Sequence, residues 1–288
     1  MVTVISLLAA VYAPDLNQTE FANSALGRVN ELRRNLKLNE VSLDSQLITL
    51  ASEQCNYLVL NKQLSSHEQQ EGKPGFTGKT LADRVKRAQL TWGVSETLNG
   101  SKFLNGAQMI DGLLEVPYHR MPFLHPGFQV MGTAIGEFSE QLIGVAHLGR
   151  RGGEGVVVYP AADQTGVPLS ANTYELPDPL RMHRSRKTMK DANGNILLEE
   201  EIVGPFITFN VFPNTEAVAF GQVTLTNAAG EPVPIWVNTT SNDDFLRAAA
   251  FITPKKPLAP NTKYTATFSL IGDAAKHSRT WSFTTAAK

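Results

Sequence analysis

The spacing of apolar residues changes along the chain, and this change most constrains what the chain can fold into. Near the start, apolar residues recur at steps of four, four, three and four, which places them on one face of an amphipathic helix. They are Phe21, Ala25, Val29, Leu32 and Leu36. Near the end, apolar and polar residues alternate strictly, as in half-buried strands. The alternating apolar residues are Tyr264, Ala266, Phe268 and Leu270. The chain is therefore predicted to be α+β.

Residues 17–160 are predicted to form one domain of helices followed by strands. After the first helix, the predicted limits are a cap at Asp44 for the second, Thr80 to near Gly93 for the third, and Phe103 to Glu115 for the fourth. The last of these must end by Pro117, because a proline disfavours helix in the residue before it. Short strands are predicted around 129–138, 141–148 and 155–159.

A second domain is predicted over residues 202–288, after a linker at 161–201. The linker is rich in proline and mixed charge, which favours a surface path, and Asn193-Gly194 favours a short ribbon within it. Beyond it, apolar runs at 206–212, 220–226, 233–238 and 246–252 are separated by turn residues. Several short strands at this spacing predict a β-sandwich, and its end from Pro257 to Thr285 resembles a bacterial Ig-like module.

Charge and cysteine content limit the classes of partner and of site. The 288 residues carry a net charge of −1, so nothing indicates nucleic acid or an anionic membrane as a partner. The one cysteine, Cys55, rules out an intramolecular disulfide and any metal site built from cysteines. It lies at helical spacing with Leu47, Leu50 and Leu58, which favours a small core residue over a reactive thiol.

The apolar segment Met1–Ala13 is too short to span a membrane. It is similar to the core of a signal peptide, with Val11 and Ala13 at the small-residue cleavage positions, although no basic residue precedes it. We interpret residues 1–16 as a signal-peptide remnant or an apolar lead-in. Export is favoured, which predicts a secreted or periplasmic protein.

Two histidine-bearing motifs are the main candidates for chemistry. Ser66-His67-Glu68 comes first, and Pro117-Tyr118-His119-Arg120 follows, with Ser95-Glu96-Thr97 between them. Pro126-Gly127-Phe128 and a glycine-rich strand starting at Val130 come next. In this order the motifs resemble the CAP superfamily (cysteine-rich secretory, antigen 5 and pathogenesis-related proteins), most closely its bacterial members, over roughly residues 20–160. The resemblance implies a CAP-type α-β-α sandwich ahead of the Ig-like sandwich.

The same resemblance implies an open cleft that holds His67 and His119. Glu96 matches the glutamate of the family's Gly-Glu-Asn motif, although Ser95 and Thr97 replace its neighbours. The family's other acidic residue has no secure match. Glu68 is the first candidate because it adjoins His67, and Glu115 or Asp111 are alternatives. The remaining histidines are interpreted as structural or exposed: His125, His147, His183 and His277.

A divalent ion such as zinc could be held by these residue types, with His67 and His119 as the predicted ligands. Two histidines and one or two carboxylates would leave open positions, as in a labile or catalytic site. The segment starting at His67-Glu68 lacks the second histidine of a zinc-protease helix, because Glu71 stands in its place. No serine-nucleophile elbow, P-loop or dinucleotide fingerprint occurs, and no organic cofactor is predicted.

Three functions follow from these observations. The first is a secreted protein whose cleft (His67, Glu68, Glu96, Glu115 and His119) binds an extracellular lipid, glycan or cell-wall component. The second is a hydrolase, with His67 or His119 as general base oriented by a glutamate such as Glu96, or with zinc-bound water as nucleophile. The third is a structural envelope protein whose cleft residues satisfy one another. We favour binding over catalysis.

Overall fold

The computed structural model describes residues 17–101, 105–138, 141–185, 187–192, 194–199, 201–213 and 216–288. The first unit contains the helices α1 (Gln18–Asn35), α2 (Ser45–Leu60), α3 (Leu81–Arg87), α4 (Gly106–Glu115) and α5 (Pro117–Arg120), and a 3₁₀ turn at Met121–Leu124. Its strands are β1 (Ser42–Leu43), β2 (Gly93–Ser101), β3 (Phe128–Phe138) and β4 (Gln141–Arg150). They form one sheet in the order β1-β3-β4-β2. The apolar lead-in at 1–16 lies outside the described residues.

Helices cover both faces of this sheet. Successive residues of β3 and β4 point to opposite faces, so Met131 and Leu148 pack with α1 and α4, while Ala134 and Val145 pack with α2. This arrangement confirms the predicted α-β-α sandwich. Cys55 lies in the α2 layer, where burial raises the pKa of its thiol to about 12. Its predicted role as a core residue is confirmed.

Two helices of the first unit have limits that differ from the sequence prediction. The third helix ends at Arg87, and the residues that follow form β2, a nine-residue strand that was not predicted. Glycine, serine, threonine and asparagine dominate β2, so it lacks the apolar alternation that would have indicated a strand. The fourth helix starts at Gly106, because the Asn105 side chain accepts a hydrogen bond from the Gln108 amide and caps it.

The second unit is all-β. Its strands are β5 (Gly155–Tyr159), β10 (Ile207–Phe212), β11 (Phe220–Thr226), β12 (Ile235–Asn238), β13 (Ala249–Pro254), β14 (Lys263–Leu270) and β15 (Arg279–Thr284), with a 3₁₀ turn at Gly272–His277. They form two sheets, β12-β13-β10-β5 and β11-β14-β15. Phe209 of one sheet stacks on Phe268 of the other with ring centroids 5.4 Å apart. The two sheets thus share one core, as predicted for a sandwich.

The first domain ends before β5, earlier than the predicted limit at residue 160. Residues 155–159 were assigned to the end of that domain, but β5 pairs antiparallel with β10, Val158 opposite Phe209. The sequence analysis placed residues 155–159 in the first domain because they follow β4 closely in the chain. The edge position next to β10, however, is where the apolar side of β5 meets the second core, with Val156 and Val158 packed against it.

The segment at 161–201 contacts both units, since Glu175 lies within hydrogen-bond distance of His119 in the first and the Leu169 carbonyl accepts from the Leu258 amide in the second. It contains β6 (Ala171–Asn172), which pairs with β9 (Ile202–Val203). It also contains the ribbon expected around Gly194, formed by β7 (Thr188–Lys190) and β8 (Ile196–Leu198). We call residues 161–201 the connecting segment.

The contact between α1 and α4 depends on Gly106. A Cβ atom at this position would lie 2.0 Å from the Phe21 carbonyl oxygen and 2.7 Å from the Ala25 amide nitrogen. Because both atoms belong to the backbone of α1, Gly106→Ala is expected to lower the free energy of unfolding by roughly 1–3 kcal/mol. The matched control is Gly27→Ala in α1, where nothing lies within 4 Å of the added carbon and helix propensity favours alanine by about 1 kcal/mol. Urea denaturation of both variants checks the prediction, and equal shifts of the same sign would contradict it.

Candidate functional site

A cleft of about 240 Å³ lies between the sheet of the first unit and the connecting segment. His67 and His119 both line it. The connecting segment contributes Tyr174, Glu175, Leu176, Asn195 and Ile196. The remaining lining residues are Leu64, Ser65, Leu98, Asn99, Gly100, Gly112, Leu113 and Val116. The walls thus combine aliphatic side chains with several polar ones.

His67 is fixed by a buried carboxylate behind it. Its side chain is 52 % exposed, and its Nδ1 atom lies 2.8 Å from Oε1 of Glu96, whose side chain is 2 % exposed. Arg84 donates from one terminal nitrogen to the His67 carbonyl at 3.0 Å and from the other to Oε2 of Glu96 at 2.7 Å. The guanidinium therefore holds both the loop and the carboxylate that orient the imidazole.

The register of β2 and β4 completes this network. Glu96 of β2 is paired with His147 of β4, and the His147 Nε2 atom lies 2.8 Å from Oε2 of Glu96. Burial alone would raise the pKa of Glu96, but hydrogen bonds from His147 and His67, with the charges of His147 and Arg84, lower it to about 2. Glu96 is therefore ionised at neutral pH, so His67 donates from Nδ1. A neutral His67 then presents its Nε2 atom as an acceptor.

His119 has a second buried carboxylate as its partner. Oε1 of Glu175 accepts from the His119 main-chain N–H at 2.8 Å and lies 2.7 Å from the His119 Nδ1 atom. The His119 side chain is 16 % exposed, whereas that of Glu175 is fully buried. The other carboxylate oxygen, Oε2, is buried and has no hydrogen-bond partner among the described residues.

Helix α5 presents His119 to the cleft and its two neighbours to the second unit. The Tyr118 hydroxyl donates to Asp243, and its ring packs edge-on against Phe251. Arg120 is buried and donates to the carbonyl oxygens of Leu114, Glu115 and Phe206. Tyr118 and Arg120 of α5 thus join the two units and fix the backbone that carries His119.

Comparison with known families agrees with this architecture. Residues 26–145 match the model of the cysteine-rich secretory protein family, CAP. Residues 205–285 match the model of the bacterial Ig-like domain. The chain contains a CAP domain and a bacterial Ig-like domain. No curated protein matches it.

Two solved structures are similar to part of the chain. One is an outer surface protein from Borrelia burgdorferi, with 20 % identity and a TM-score of 0.40, covering 47 % of this chain and 96 % of that one. The other is an extracellular protein containing a SCP domain from Bacillus anthracis, with 20 % identity and a TM-score of 0.37, covering 48 % of this chain and 45 % of that one. Within the part of the chain described here, no helix is long and apolar enough to cross a membrane.

The predicted acidic residues of the CAP cleft need a correction. Glu96 lies behind His67, but Glu68 is exposed beside a different pocket, because the next residue in the loop, Gln69, turns inward and is buried. Glu115 and Asp111 line a neighbouring cavity of about 670 Å³. There, Glu115 accepts from the Asn172 amide. None of Glu68, Glu115 and Asp111 is among the residues that line the CAP cleft.

The acidic partner of His119 is Glu175, which the sequence analysis missed. It lies in the connecting segment, outside the residues that match either family, and no local motif marks it. His147 was interpreted as structural or exposed; it is fully buried and bonded to Glu96. The contact between His147 and Glu96 could be recognised only from the pairing of β2 with β4. His125 is structural, since its Nδ1 atom accepts from the Gly127 amide.

The donor set of the cleft does not fit a zinc centre. His67 and His119 both line the cleft, and each could offer only its Nε2 atom to a metal, since its Nδ1 atom is paired with a carboxylate. Over the described ranges, no group of three or more His, Cys, Asp or Glu residues could hold a metal ion. Catalytic zinc sites have three protein ligands. We therefore derive no chemistry from a metal.

Proposed function

We propose that the protein is exported and that its CAP cleft binds an extracellular ligand through His67 and His119. The observation that carries this proposal is the pairing of each cleft imidazole with a buried carboxylate at Nδ1. Such a pairing fixes both the ring orientation and the tautomer, and leaves Nε2 for a ligand. The apolar segment Met1–Ala13 supports export.

The same geometry weighs against the two other functions. In the described part of the chain, neither imidazole is hydrogen-bonded to a serine, threonine or cysteine side chain. The nucleophile–base contact of covalent hydrolases is therefore missing. A purely structural cleft would have its polar groups satisfied by one another, but the buried Oε2 atom of Glu175 has no partner within the described residues.

A ligand screen with histidine variants tests the proposal. Lipids, glycans and peptidoglycan fragments are presented to the intact protein, and the tightest binder is titrated against His67→Ala and His119→Ala. Each variant is expected to weaken binding by roughly tenfold or more, because it removes a fixed hydrogen-bonding group at the ligand. His277→Ala, in the Ig-like domain, is the matched control and should bind like the parent. Unchanged affinity in both cleft variants would contradict the proposal.

A further inference from the structure

We infer that Glu175 is a ligand-recognition residue and that the CAP cleft takes an uncharged, hydroxyl-rich ligand, a saccharide unit. This inference rests on the proposed function, since it concerns the same cleft. It adds a residue from the connecting segment, outside the CAP and Ig-like matches, and it states the chemical class of the ligand.

The first argument comes from the unpaired oxygen of Glu175. The side chain is fully buried and lines the cleft, and its Oε2 atom lacks a hydrogen-bond partner among the described residues. An unpaired buried acceptor is unfavourable, because it has lost its hydrogen bonds to water and gained none from the protein. A hydrogen-bond donor on a ligand would satisfy this oxygen, because none of the described residues donates to it.

The second argument comes from the direction of the other hydrogen bonds. His67 and His119 place Nδ1 against a carboxylate, so in their neutral forms both offer Nε2 as an acceptor. Together with Glu175, whose buried Oε2 atom has no hydrogen-bond partner among the described residues, the residues that line the cleft therefore carry free acceptors on three different side chains. A ligand that satisfies all three must carry several donors, as the hydroxyl groups of a sugar do.

The third argument concerns charge. Glu96 is paired with Arg84 at 2.7 Å, and the charge of Glu175 interacts with the buried guanidinium of Arg120. Since a buried guanidinium interacts with each carboxylate, the negative charge of the cleft is partly balanced within the protein, which favours a neutral ligand over a cationic one. The donors that it recognises are therefore expected to be neutral hydroxyls rather than ammonium groups.

The fourth argument concerns the walls. Tyr174 lines the cleft and is 40 % exposed, and aliphatic side chains such as Leu113 and Ile196 also line it. Aromatic and aliphatic surfaces cover the C–H faces of a sugar ring while the acceptors bind its hydroxyls. The volume of about 240 Å³ is below the roughly 300–1,000 Å³ of drug-sized sites. It suits one or two sugar units of a longer chain.

The variant Glu175→Gln tests whether Glu175 recognises the ligand. This change keeps an oxygen at the Oε1 position for both His119 donors but replaces the acceptor Oε2 by a donating amide nitrogen. Calorimetric titration with the tetramers of N-acetylglucosamine and of glucose is expected to show at least tenfold weaker binding than in the parent. The matched control is Glu68→Gln, an exposed carboxylate outside the cleft, which should bind like the parent. The melting temperature of each variant establishes that it is folded.

The parent protein alone provides a test that needs no variant. The neutral tetramers should bind, whereas cadaverine, a diamine, should not. Preference for cadaverine, or no binding of either tetramer, would overturn the saccharide class. If His119→Ala weakened tetramer binding and Glu175→Gln did not, the role of Glu175 would be overturned while the proposed function stood. If Glu175→Gln, His119→Ala and His67→Ala all left tetramer binding unchanged, both the role of Glu175 and the proposed function would be overturned.

Discussion

Replacing Arg120 by methionine is expected to lower the free energy of unfolding by about 4 kcal/mol. The buried guanidinium donates to the carbonyl oxygens of Leu114 and Glu115 in the CAP domain and to that of Phe206 beside the Ig-like domain. It also lies 4.1 Å from the centroid of the Tyr159 ring. Methionine fills most of the volume but leaves these acceptors without their donor, and the loss affects both domains at once.

Urea denaturation followed by tryptophan fluorescence measures this effect. Trp92 reports on the CAP domain, while Trp236 and Trp281 report on the Ig-like domain. The matched control is Arg34→Met, because Arg34 is 57 % exposed and its partner Glu40 is 52 % exposed. A surface pair of this kind contributes at most about 1 kcal/mol. A loss below about 1 kcal/mol for Arg120→Met would contradict the structural role assigned to α5.

Glu96→Gln is expected to remove a pH-dependent part of the stability. The folded pKa of Glu96 is lowered from 4.5 to about 2. A group whose pKa is depressed on folding stabilises the folded state above its unfolded pKa, and this contribution is lost as the pH falls through the folded pKa. The difference between the two values corresponds to about 3 kcal/mol. The variant should therefore be less stable than the parent at pH 6 by about that amount, and the gap should narrow between pH 5 and pH 2.

Chemical denaturation at several pH values checks this expectation. Glu40→Gln is the control, because it removes an exposed carboxylate from a surface ion pair and should leave the parent's stability nearly unchanged throughout. A gap between Glu96→Gln and the parent that stays constant from pH 6 to pH 2 would show that ionised Glu96 does not stabilise the fold.

Much of the fold was predictable because local periodicity determines it. The helical spacing from Phe21 to Leu36 forms α1, and the strict alternation from Tyr264 to Leu270 forms β14. Strand β2 escaped prediction because its position in the sheet depends on pairing with β4 and its sequence is largely polar. Strand β5 was assigned to the wrong sheet, because partner choice between two sheets is a long-range property.

The candidate site likewise contains residues that the sequence could predict and one that it could not. His67, Glu96 and His119 could be proposed because they lie within motifs that resemble those of a known family. Glu175 could not, because 56 residues separate it from His119 and the proline-rich segment around it has the composition of a linker. Only the fold of the connecting segment over the cleft brings its carboxylate to the imidazole. Glu68 adjoins His67 in sequence but does not line the cleft, because in this loop the next residue, Gln69, is the buried one.

The most direct test of the account is nitrogen-15 NMR of the histidine side chains, with and without the tightest ligand from the screen. In the free protein, His67 and His119 should carry the proton on Nδ1, and their Nε2 resonances should shift when the ligand is added. His183 and His277 lie outside the cleft, and their resonances should not move. A bound ligand that shifts neither His67 nor His119 would contradict the proposal that these residues form the binding site.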